Sequence, residues 1–169
     1  MRIFKLFFFS ILIIGIAIVF VFSLFPSHIR ISRVIRIEAS RQKTAAVVNN
    51  LNTWHEWNEL IGASPESRVL TGHEEGPGAS ISAKGIRMMI TESSANSVLT
   101  RWIQDNGKNF SGGFRFIDTD SNRIITEWYF DFHFKWYPWE KLGSMFYDKQ
   151  LGPVMEKSLL DLKRYMENH

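Results

Sequence analysis

The hydrophobic pattern divides the chain into an apolar N-terminal segment and a longer segment in which apolar and polar positions alternate. Residues 6–25, LFFFSILIIGIAIVFVFSLF, carry no charged side chain. A helix of this length extends about 30 Å, the hydrocarbon thickness of a bilayer. A cleavable signal peptide has a shorter apolar region followed by a small-residue cleavage site, which FPSH does not provide. We therefore predict a retained transmembrane anchor in residues 1–27 and a folded domain in residues 28–169.

Residues 28–62 predict one strand followed by two short helices. The strand places isoleucine at every second position of one face except at Arg33; the four are Ile29, Ile31, Ile35 and Ile37. Ser40 can cap a helix over residues 41–51, and Asn52 can cap a second one. The second helix carries Trp54 and Trp57, three residues apart in an otherwise polar stretch.

The middle of the chain predicts an antiparallel meander, because polar turns separate short β-rich stretches. The predicted strands cover residues 67–72, 79–85, 86–93, 97–104, 109–118 and 123–136. On the last strand one face is wholly aromatic: Trp128, Phe130, Phe132, Phe134 and Trp136. A period of two requires one buried face and one wet face. We expect Gly112 and Gly113 on the preceding strand to permit a bulge or sharp curvature.

The C-terminal residues predict a long amphipathic helix. Its apolar positions recur at spacings of four, three and four: Met155, Leu159, Leu162 and Met166. Gly152–Pro153 either begins this helix or kinks it, because proline suits a first turn and breaks a helix interior. The stripe needs an apolar partner, and the aromatic face of the sheet is the surface of suitable size.

The charge balance does not support a broad nucleic-acid-binding surface. The isoelectric point is about 9.3, but the chain has 20 lysines and arginines against 17 acidic residues. Arg2 and Lys5 precede the anchor, residues 28–43 carry five basic side chains against one acidic, and residues 44–169 are net negative. These cations either meet the anionic headgroups of the lipid bilayer or face solvent on an edge strand. Cysteine is absent, which excludes disulfides and thiolate metal sites.

The flanks of the anchor give opposing indications of orientation. Arg2 and Lys5 favour a cytoplasmic N-terminus, whereas Arg30, Arg33 and Arg36 on the other flank favour the reverse. A very short tail before one anchor is the usual layout of an exported, tethered domain. We therefore expect a single-pass membrane protein whose folded domain lies on the extracytoplasmic side.

Four segments carry a family resemblance: RISRVIRIEASRQKTAAVVNNLNTWHEWNEL with its W-x-x-W, GPGASISAKG, IRMMITES, and YPWEKLGSMFYDKQLGPVMEKSLLDLKRYMENH. Through them, residues 28–169 resemble the START-like superfamily, also called SRPBCC, which includes polyketide cyclase/dehydrase-like and lipid-transfer-like proteins. The resemblance implies an α+β helix-grip fold: a curved antiparallel sheet of about seven strands around a long C-terminal helix, with two short helices after the first strand. Members bind lipids, hormones or polyketides and a minority are enzymes, so it implies no particular catalytic residue.

Candidate chemistry is sparse. No histidine has a partner at metal-ligand spacing, and we expect neither a metal nor another cofactor. Glu92 lies on the same predicted strand face as Met88 and Ile90, and Arg33 lies on the same face as the isoleucines of its strand. If they met inside, they would be the acid–base candidates of a cyclase-, dehydrase- or hydrolase-type enzyme. The alternative is that each lies near a strand end, where its row emerges into water.

The aromatic row favours a membrane-tethered module that binds a hydrophobic or amphipathic, lipid-like small molecule between sheet and helix. The predicted ligand-binding residues are Trp54, Trp57, Met88, Ile90, Trp102, Phe114, Phe116, Trp128, Phe130, Phe132, Phe134, Met155, Leu159 and Leu162. Trp54 and Trp57 either line the mouth of this pocket or plug the end of the core. The alternatives are the enzyme, and a packed scaffold whose outer face, with Tyr129 and His133, meets another protein. The sequence identifies no protein partner.

Overall fold

The structure is a computed structural model that describes residues 2–24, 27–62, 68–120, 123–133 and 138–168. The helices are α1 (Arg2–Ser23), α2 (Arg41–Asn49), α3 (Trp54–Trp57) and α4 (Pro138–Asn168), with a 3-10 turn at Leu51–Thr53. The strands are β1 (His28–Ile37), β2 (Arg68–Thr71), β3 (Ser80–Ala83), β4 (Ile86–Ser93), β5 (Ser97–Gln104), β6 (Asn109–Asp120) and β7 (Arg123–His133). Phe134 and Trp136, predicted to extend the last strand, lie outside the described residues.

The seven strands form one antiparallel sheet in the order β1-β7-β6-β5-β4-β3-β2. Strands β2 to β7 make the predicted meander, and β1 adds to β7 at the edge, with His28 opposite His133. The register places Ile86 opposite Gln104, and Ile103 opposite Asn109. The start of β1, the end of β7, the β3–β4 turn and the β5–β6 turn therefore share one end of the sheet. We call it the α1 end, because the chain reaches it from α1.

The inner face of the sheet packs against α4, and this arrangement confirms the predicted helix-grip fold. The whole predicted stripe of α4 is buried: Met155, Leu159, Leu162 and Met166. Helix α4 begins at Pro138, so Gly152–Pro153 does not begin it, and Pro153 lies inside the helix. A proline there removes one backbone donor. Helix α4 nevertheless packs on the core before the proline as well as after it, through Tyr147 and Leu151.

The helix caps are confirmed at one position and wrong at another. The Ser40 hydroxyl accepts a hydrogen bond from the backbone N–H of Lys43 at 3.4 Å, as predicted. Asn52 does not cap α3; instead the side chain of Asn50 accepts from the backbone N–H of Asn52 at 3.0 Å. Asn50 leaves helical geometry because it forms an isolated bridge with Glu75. Asn50 therefore caps the 3-10 turn that precedes α3, and the N-cap residue of α3 is Thr53, whose side chain makes no capping hydrogen bond.

The predicted bulge at Gly112–Gly113 is wrong, because both residues pair regularly with β5 and β7. Register shifts occur instead between Ile90 and Glu92 and near the end of β6. The glycines make room for two rings of β7 on opposite faces. A Cβ on Gly112 would lie 2.6 Å from the Phe130 ring, and a Cβ on Gly113 would lie 3.0 Å from the Tyr129 hydroxyl.

Helix α1 is long and apolar enough between Phe4 and Val21 to cross a membrane, and none of that stretch is buried against the domain. Signal sequences near an N-terminus share these properties. The backbone advances five residues from Ser23, the last residue of α1, to His28, so the end of α1 lies within about 18 Å of the first residue of β1.

Candidate functional site

Aromatic side chains fill the interior between the middle of the sheet and the helices. Trp102 of β5, Phe114 of β6, and Trp128 and Phe130 of β7 are fully buried. Phe114 stacks on Trp128 with ring centroids 5.2 Å apart, and Phe130 meets Trp102 edge-on at 5.3 Å. Such offset and T-shaped pairs are the favoured arrangements of aromatic rings. The alternation read from the sequence therefore produces one continuous aromatic layer.

Trp54 and Trp57 are plugs rather than mouth residues. They are 0 % and 1 % exposed, and their ring centroids lie 5.8 and 5.9 Å from that of Phe114. The Trp54 indole N–H donates to the carbonyl of Val48 at 2.8 Å, and that of Trp57 donates to the Thr53 hydroxyl at 3.3 Å. Helix α3 thus fixes both indoles over the aromatic layer and closes that side of the core.

The predicted ligand-binding residues come together in one buried cluster. It contains every one of them in the described ranges: Trp54, Trp57, Met88, Ile90, Trp102, Phe114, Phe116, Trp128, Phe130, Phe132, Met155, Leu159 and Leu162. Phe134 lies outside the described residues. Their convergence agrees with the predicted pocket and equally with a packed core, so contact with a ligand stays a prediction.

Unpartnered polar atoms inside this cluster are a feature that the sequence did not reveal. The Trp128 Nε1, the Thr126 hydroxyl and the Asn58 Nδ2 are buried and have no hydrogen-bond partner among the described residues. By contrast, the Trp102 indole N–H donates to the Thr100 hydroxyl at 2.9 Å. Buried polar groups nearly always have a partner, so an exception in an apolar interior indicates a position that a ligand or water atom can satisfy. Trp128 and Thr126 are neighbours on the inner face of β7.

The core is less tightly covered at the α1 end. Phe110 and Tyr147 there are only partly buried, whereas the aromatic residues at the middle of the sheet are fully buried. The Phe132 ring lies between them, with centroids 4.7 Å from Phe110 and 4.8 Å from Tyr147. Phe146, the neighbour of Tyr147 on α4, is 59 % exposed. Aromatic surface therefore continues from the buried layer toward the end of the sheet nearest α1.

Arg33 and Glu92 do not meet, which corrects the predicted acid–base pair. Arg33 projects toward α4, where its guanidinium binds Asp148 at 2.9 Å and Glu156 at 2.7 Å. Hydrogen bonds to these carboxylates raise the pKa of Arg33, although partial burial opposes this. Glu92 pairs with Leu99 rather than following the Ile90–Thr100 register, and it is exposed. The bulge shifts the register by one residue between Ile90 and Glu92. Because a one-residue shift exchanges the two faces of a strand, Glu92 lies on the outer face.

The outer face carries a charged cluster around Tyr129. Arg30 forms two hydrogen bonds with Asp131, at 2.7 and 2.6 Å, and its guanidinium lies 4.4 Å from the centre of the Tyr129 ring. The hydrogen bonds from Arg30, and the charges of Arg30 and His28, lower the pKa of Asp131 against the effect of burial. Tyr129 was expected on the wet face, but it is only 6 % exposed because Arg30 and Arg115 cover it. This leaves little of its ring to meet another protein.

A shallow groove of about 350 Å³ borders this cluster. It is lined by Thr91, Glu92, Leu99, Thr100, Arg101, Ser111, Gly112, Tyr129 and Asp131. Within the part of the chain that the structure describes, no three histidine, aspartate or glutamate side chains converge as metal ligands. The interior formed by the described residues is therefore apolar, with few polar groups.

Comparison with known proteins places this arrangement in a family. The model of the family described as polyketide cyclase / dehydrase and lipid transport matches residues 28–167. No curated protein matches the sequence.

Solved structures share the fold at low sequence identity. Norcoclaurine synthase from Thalictrum flavum, in complex with dopamine and hydroxybenzaldehyde, is 11% identical with a TM-score of 0.61, over 84% of this chain and 88% of that one. A START superfamily protein from Mycobacterium smegmatis is 13% identical with a TM-score of 0.60, over 82% and 97%. CalU16 from Micromonospora echinospora is 13% identical with a TM-score of 0.55, over 80% and 73%. At such identities the likeness concerns the fold alone.

Proposed function

Because the chain belongs to the polyketide cyclase / dehydrase and lipid transport family, we propose that it is a membrane-tethered module binding an amphipathic small molecule between sheet and α4. In this proposal α1 is a retained anchor, and residues 28–169 form the binding domain. The ligand has an apolar body and at least one hydrogen-bond acceptor. It belongs to the lipid-like class.

The buried indole N–H of Trp128 is the observation that carries this proposal. It is a donor without an acceptor among the described residues, at the centre of a layer of aromatic rings. A buried donor left unpaired costs about 1–3 kcal/mol, which a ligand carbonyl, ester or hydroxyl oxygen would recover. The surrounding rings favour an apolar body, and the adaptable side chains of Met88 and Met155 tolerate variation in its shape.

The exposed aromatic surface supports entry of the ligand into the interior from the α1 end. A row of three aromatic rings leads from the buried layer to the edge of the domain nearest α1: Phe110, Phe132 and Tyr147. If α1 spans a bilayer, this path begins within reach of the lipid that would supply the ligand. Trp54 and Trp57 are buried against Phe114, so we place the mouth at this end rather than beside them.

No specific observation favours the enzyme. Its candidates, Arg33 and Glu92, lie on opposite faces of the sheet, and Arg33 already pairs with two carboxylates of α4. Acid–base catalysis requires groups that reach the same substrate atoms. Among the described residues the interior instead presents isolated donors and acceptors, which suit binding.

The test is native mass spectrometry of the full-length chain extracted from its membrane directly into lipid nanodiscs. We expect one small amphipathic molecule per chain, released only on collisional activation. Trp128→Phe keeps an aromatic ring and removes the N–H, so the affinity for the molecule should fall about fivefold, the value of one neutral hydrogen bond, beyond any effect of the smaller ring. Trp102→Phe is the control for the smaller ring, because its N–H already has a protein acceptor, and it should weaken binding less than Trp128→Phe.

Two results would contradict the proposal. The first is an empty chain in membranes of several lipid compositions. The second is equal occupancy in Trp128→Phe and in the unaltered chain, which would show that the indole N–H makes no contact with the bound molecule.

A further inference from the structure

The α1 end of the sheet carries exposed positive charge. Lys84 lies in the β3–β4 turn, Arg87 follows at the start of β4, and Lys108 closes the β5–β6 turn; all three are exposed. Asp105 is an exposed acidic residue in the same turns. We call Lys84, Arg87 and Lys108 the basic rim.

The two turns are held together, so the rim is a defined surface. The backbone N–H of Asp105 donates to the carbonyl of Gly85 at 3.0 Å and links the β5–β6 turn to the β3–β4 turn. The Lys84 Nζ donates to the carbonyl of Glu59 at 3.3 Å, and the Arg87 Nε donates to the Ser82 hydroxyl at 3.2 Å. These bonds fix where Lys84 and Arg87 sit, and neither of them is made to a carboxylate.

Several arginines elsewhere on the domain are paired, although Arg36 and Arg101 also lack a carboxylate of the described residues within ion-pair distance; what distinguishes the rim is that its three cations share one end of the sheet. Arg30 pairs with Asp131, Arg41 with Asp118, and Arg115 with Glu127. No carboxylate of the described residues lies within ion-pair distance of Lys84, Arg87 or Lys108. Exposed cations gathered at one end of a domain and lacking partners indicate an anionic surface as their complement.

We propose that the basic rim lies on the anionic lipid headgroups of the bilayer that α1 spans. This inference rests on the membrane tether of the proposed function. The chain enters the same end of the sheet within about 18 Å of the end of α1. Strand β6, which follows Lys108, lies two strands from β1, or about 10 Å sideways, and the β3–β4 turn with Lys84 and Arg87 lies about 20 Å sideways. With this end of the sheet turned toward the bilayer, the rim comes within the range at which headgroup charge is felt, about 10 Å at 0.1 M salt.

Docking of the rim would also orient the binding interior. The aromatic path of Phe110, Phe132 and Tyr147 lies at the same end as the rim and would face the lipid. A tether alone allows the domain to rotate freely, whereas the rim fixes which end meets the membrane.

The experiment measures which end of the domain is close to lipid. The chain has no cysteine, so single cysteines can be introduced at Asn109→Cys on the α1 end and at Ala95→Cys in the opposite β4–β5 turn; both positions are exposed. The full-length chain carries a nitroxide label in nanodiscs that contain nickel-chelating headgroups. The lipid is phosphatidylcholine alone, or phosphatidylcholine with phosphatidylglycerol.

We expect strong relaxation of the label at position 109 only in anionic nanodiscs, and weak relaxation at position 95 in both. Lys108→Glu should reduce the ratio of docked to undocked domain at least fivefold, since one cation near an anionic surface contributes about this factor. Lys43→Glu is the matched charge reversal, because Lys43 is also exposed, lies on α2 beyond the opposite end of β1 and has no carboxylate of the described residues within ion-pair distance; it should leave the docking unchanged. Salt at 0.5 M should abolish the difference in relaxation at position 109 between neutral and anionic nanodiscs. This measurement needs no charge-reversal variant, so it does not depend on whether such a variant folds.

Equal relaxation at position 109 in neutral and anionic nanodiscs would overturn the docking, as would closer approach of position 95. In that case the ligand detected by native mass spectrometry would remain and the proposed function would stand. Release of the chain from membranes by alkaline carbonate would remove the tether, and both proposals would then fail together.

Discussion

Arg33 of β1 lies directly against Gly152 of α4, and its guanidinium occupies the space that a side chain at position 152 would need. From that position Arg33 binds Asp148 on one side of the glycine and Glu156 on the other. The contact joins the edge strand of the sheet to the middle of α4, next to Pro153. Because Gly152 has no side chain, it leaves room for the Arg33 guanidinium next to the helix.

Gly152→Ala should displace the end of the Arg33 side chain and weaken its ion pairs with α4, so it should not stabilise the domain as the same change does elsewhere. In an ordinary helix interior the same change would stabilise by about 1 kcal/mol. The measurement is the free energy of unfolding of the full-length chain in nanodiscs, followed by tryptophan fluorescence. The control is Gly152→Ala in an Arg33→Ala background, where the change should become neutral or favourable. Equal effects in both backgrounds would mean that Arg33 does not restrict position 152.

Trp102→Phe and Trp128→Phe should differ in stability. Removing the Trp102 N–H leaves the buried Thr100 hydroxyl without its donor and should cost about 1 kcal/mol or more beyond the loss of ring volume. In the ligand-free chain, removing the unpartnered Trp128 N–H carries no such penalty. Urea unfolding of the two variants after ligand removal checks this, and equal losses would indicate that Trp128 has a partner.

Gly112→Ala should destabilise by about 1–3 kcal/mol, since its Cβ would lie within 2.6 Å of the Phe130 ring and 2.8 Å of the Tyr129 carbonyl. Phe130→Leu removes the ring that the new methyl group would meet. In the Phe130→Leu background, Gly112→Ala should therefore lower the stability by less than it does in the unaltered chain. Ser111→Ala, the exposed neighbour, is the control and should have little effect. Thermal unfolding of the four variants tests the prediction, which fails if Gly112→Ala behaves like Ser111→Ala.

Asp131 should make stability depend on pH in the acid range. The pKa of Asp131 is lowered in the folded chain by its bonds to Arg30, so the unfolded chain binds a proton more readily. The pair therefore stabilises above the ordinary carboxyl pKa, and this contribution declines from about pH 5 downward toward the lower folded value. Asp131→Asn should flatten that decline in denaturant titrations at successive pH values. Asp118→Asn, in the more exposed pair with Arg41, should leave the decline in place.

The proposed anchor can be tested with the intact mass of the mature protein. A retained span predicts the full-length mass and resistance to alkaline carbonate extraction. Ile13→Lys, at the middle of α1, should reduce membrane insertion, because a central charge costs about 2.5–3.5 kcal/mol; Ile13→Leu is the matched control. A mature chain that begins near Ser27 would identify a cleaved signal sequence instead.

The sequence predicted the order of the elements and the composition of the core because both depend on local periodicity. Alternation on β7 identified Trp128, Phe130 and Phe132 as inward-facing, and the spacing on α4 identified Met155 and Leu159. These assignments need only the repeat of a strand or a helix and the burial of its apolar side.

The misassigned residues depended on contacts between distant segments. Glu92 changed faces because of a bulge that no local pattern reveals. Asn50, which bridges to Glu75, caps a 3-10 turn before α3, where Asn52 was expected to cap the helix. Tyr129 was placed on the wet strand face, yet two arginines from neighbouring strands cover it.

By itself the sequence determined the apolar span, the curved sheet with its aromatic face, and the helix that covers it, because the hydrophobic effect acts on periodic patterns along a single segment. Only the tertiary structure decided that Trp54 and Trp57 are plugs, that Trp128 keeps an unpartnered N–H, and that Lys84, Arg87 and Lys108 share the α1 end of the sheet. Those properties arise from register and from packing between segments far apart in the chain, where no single stretch contains the information.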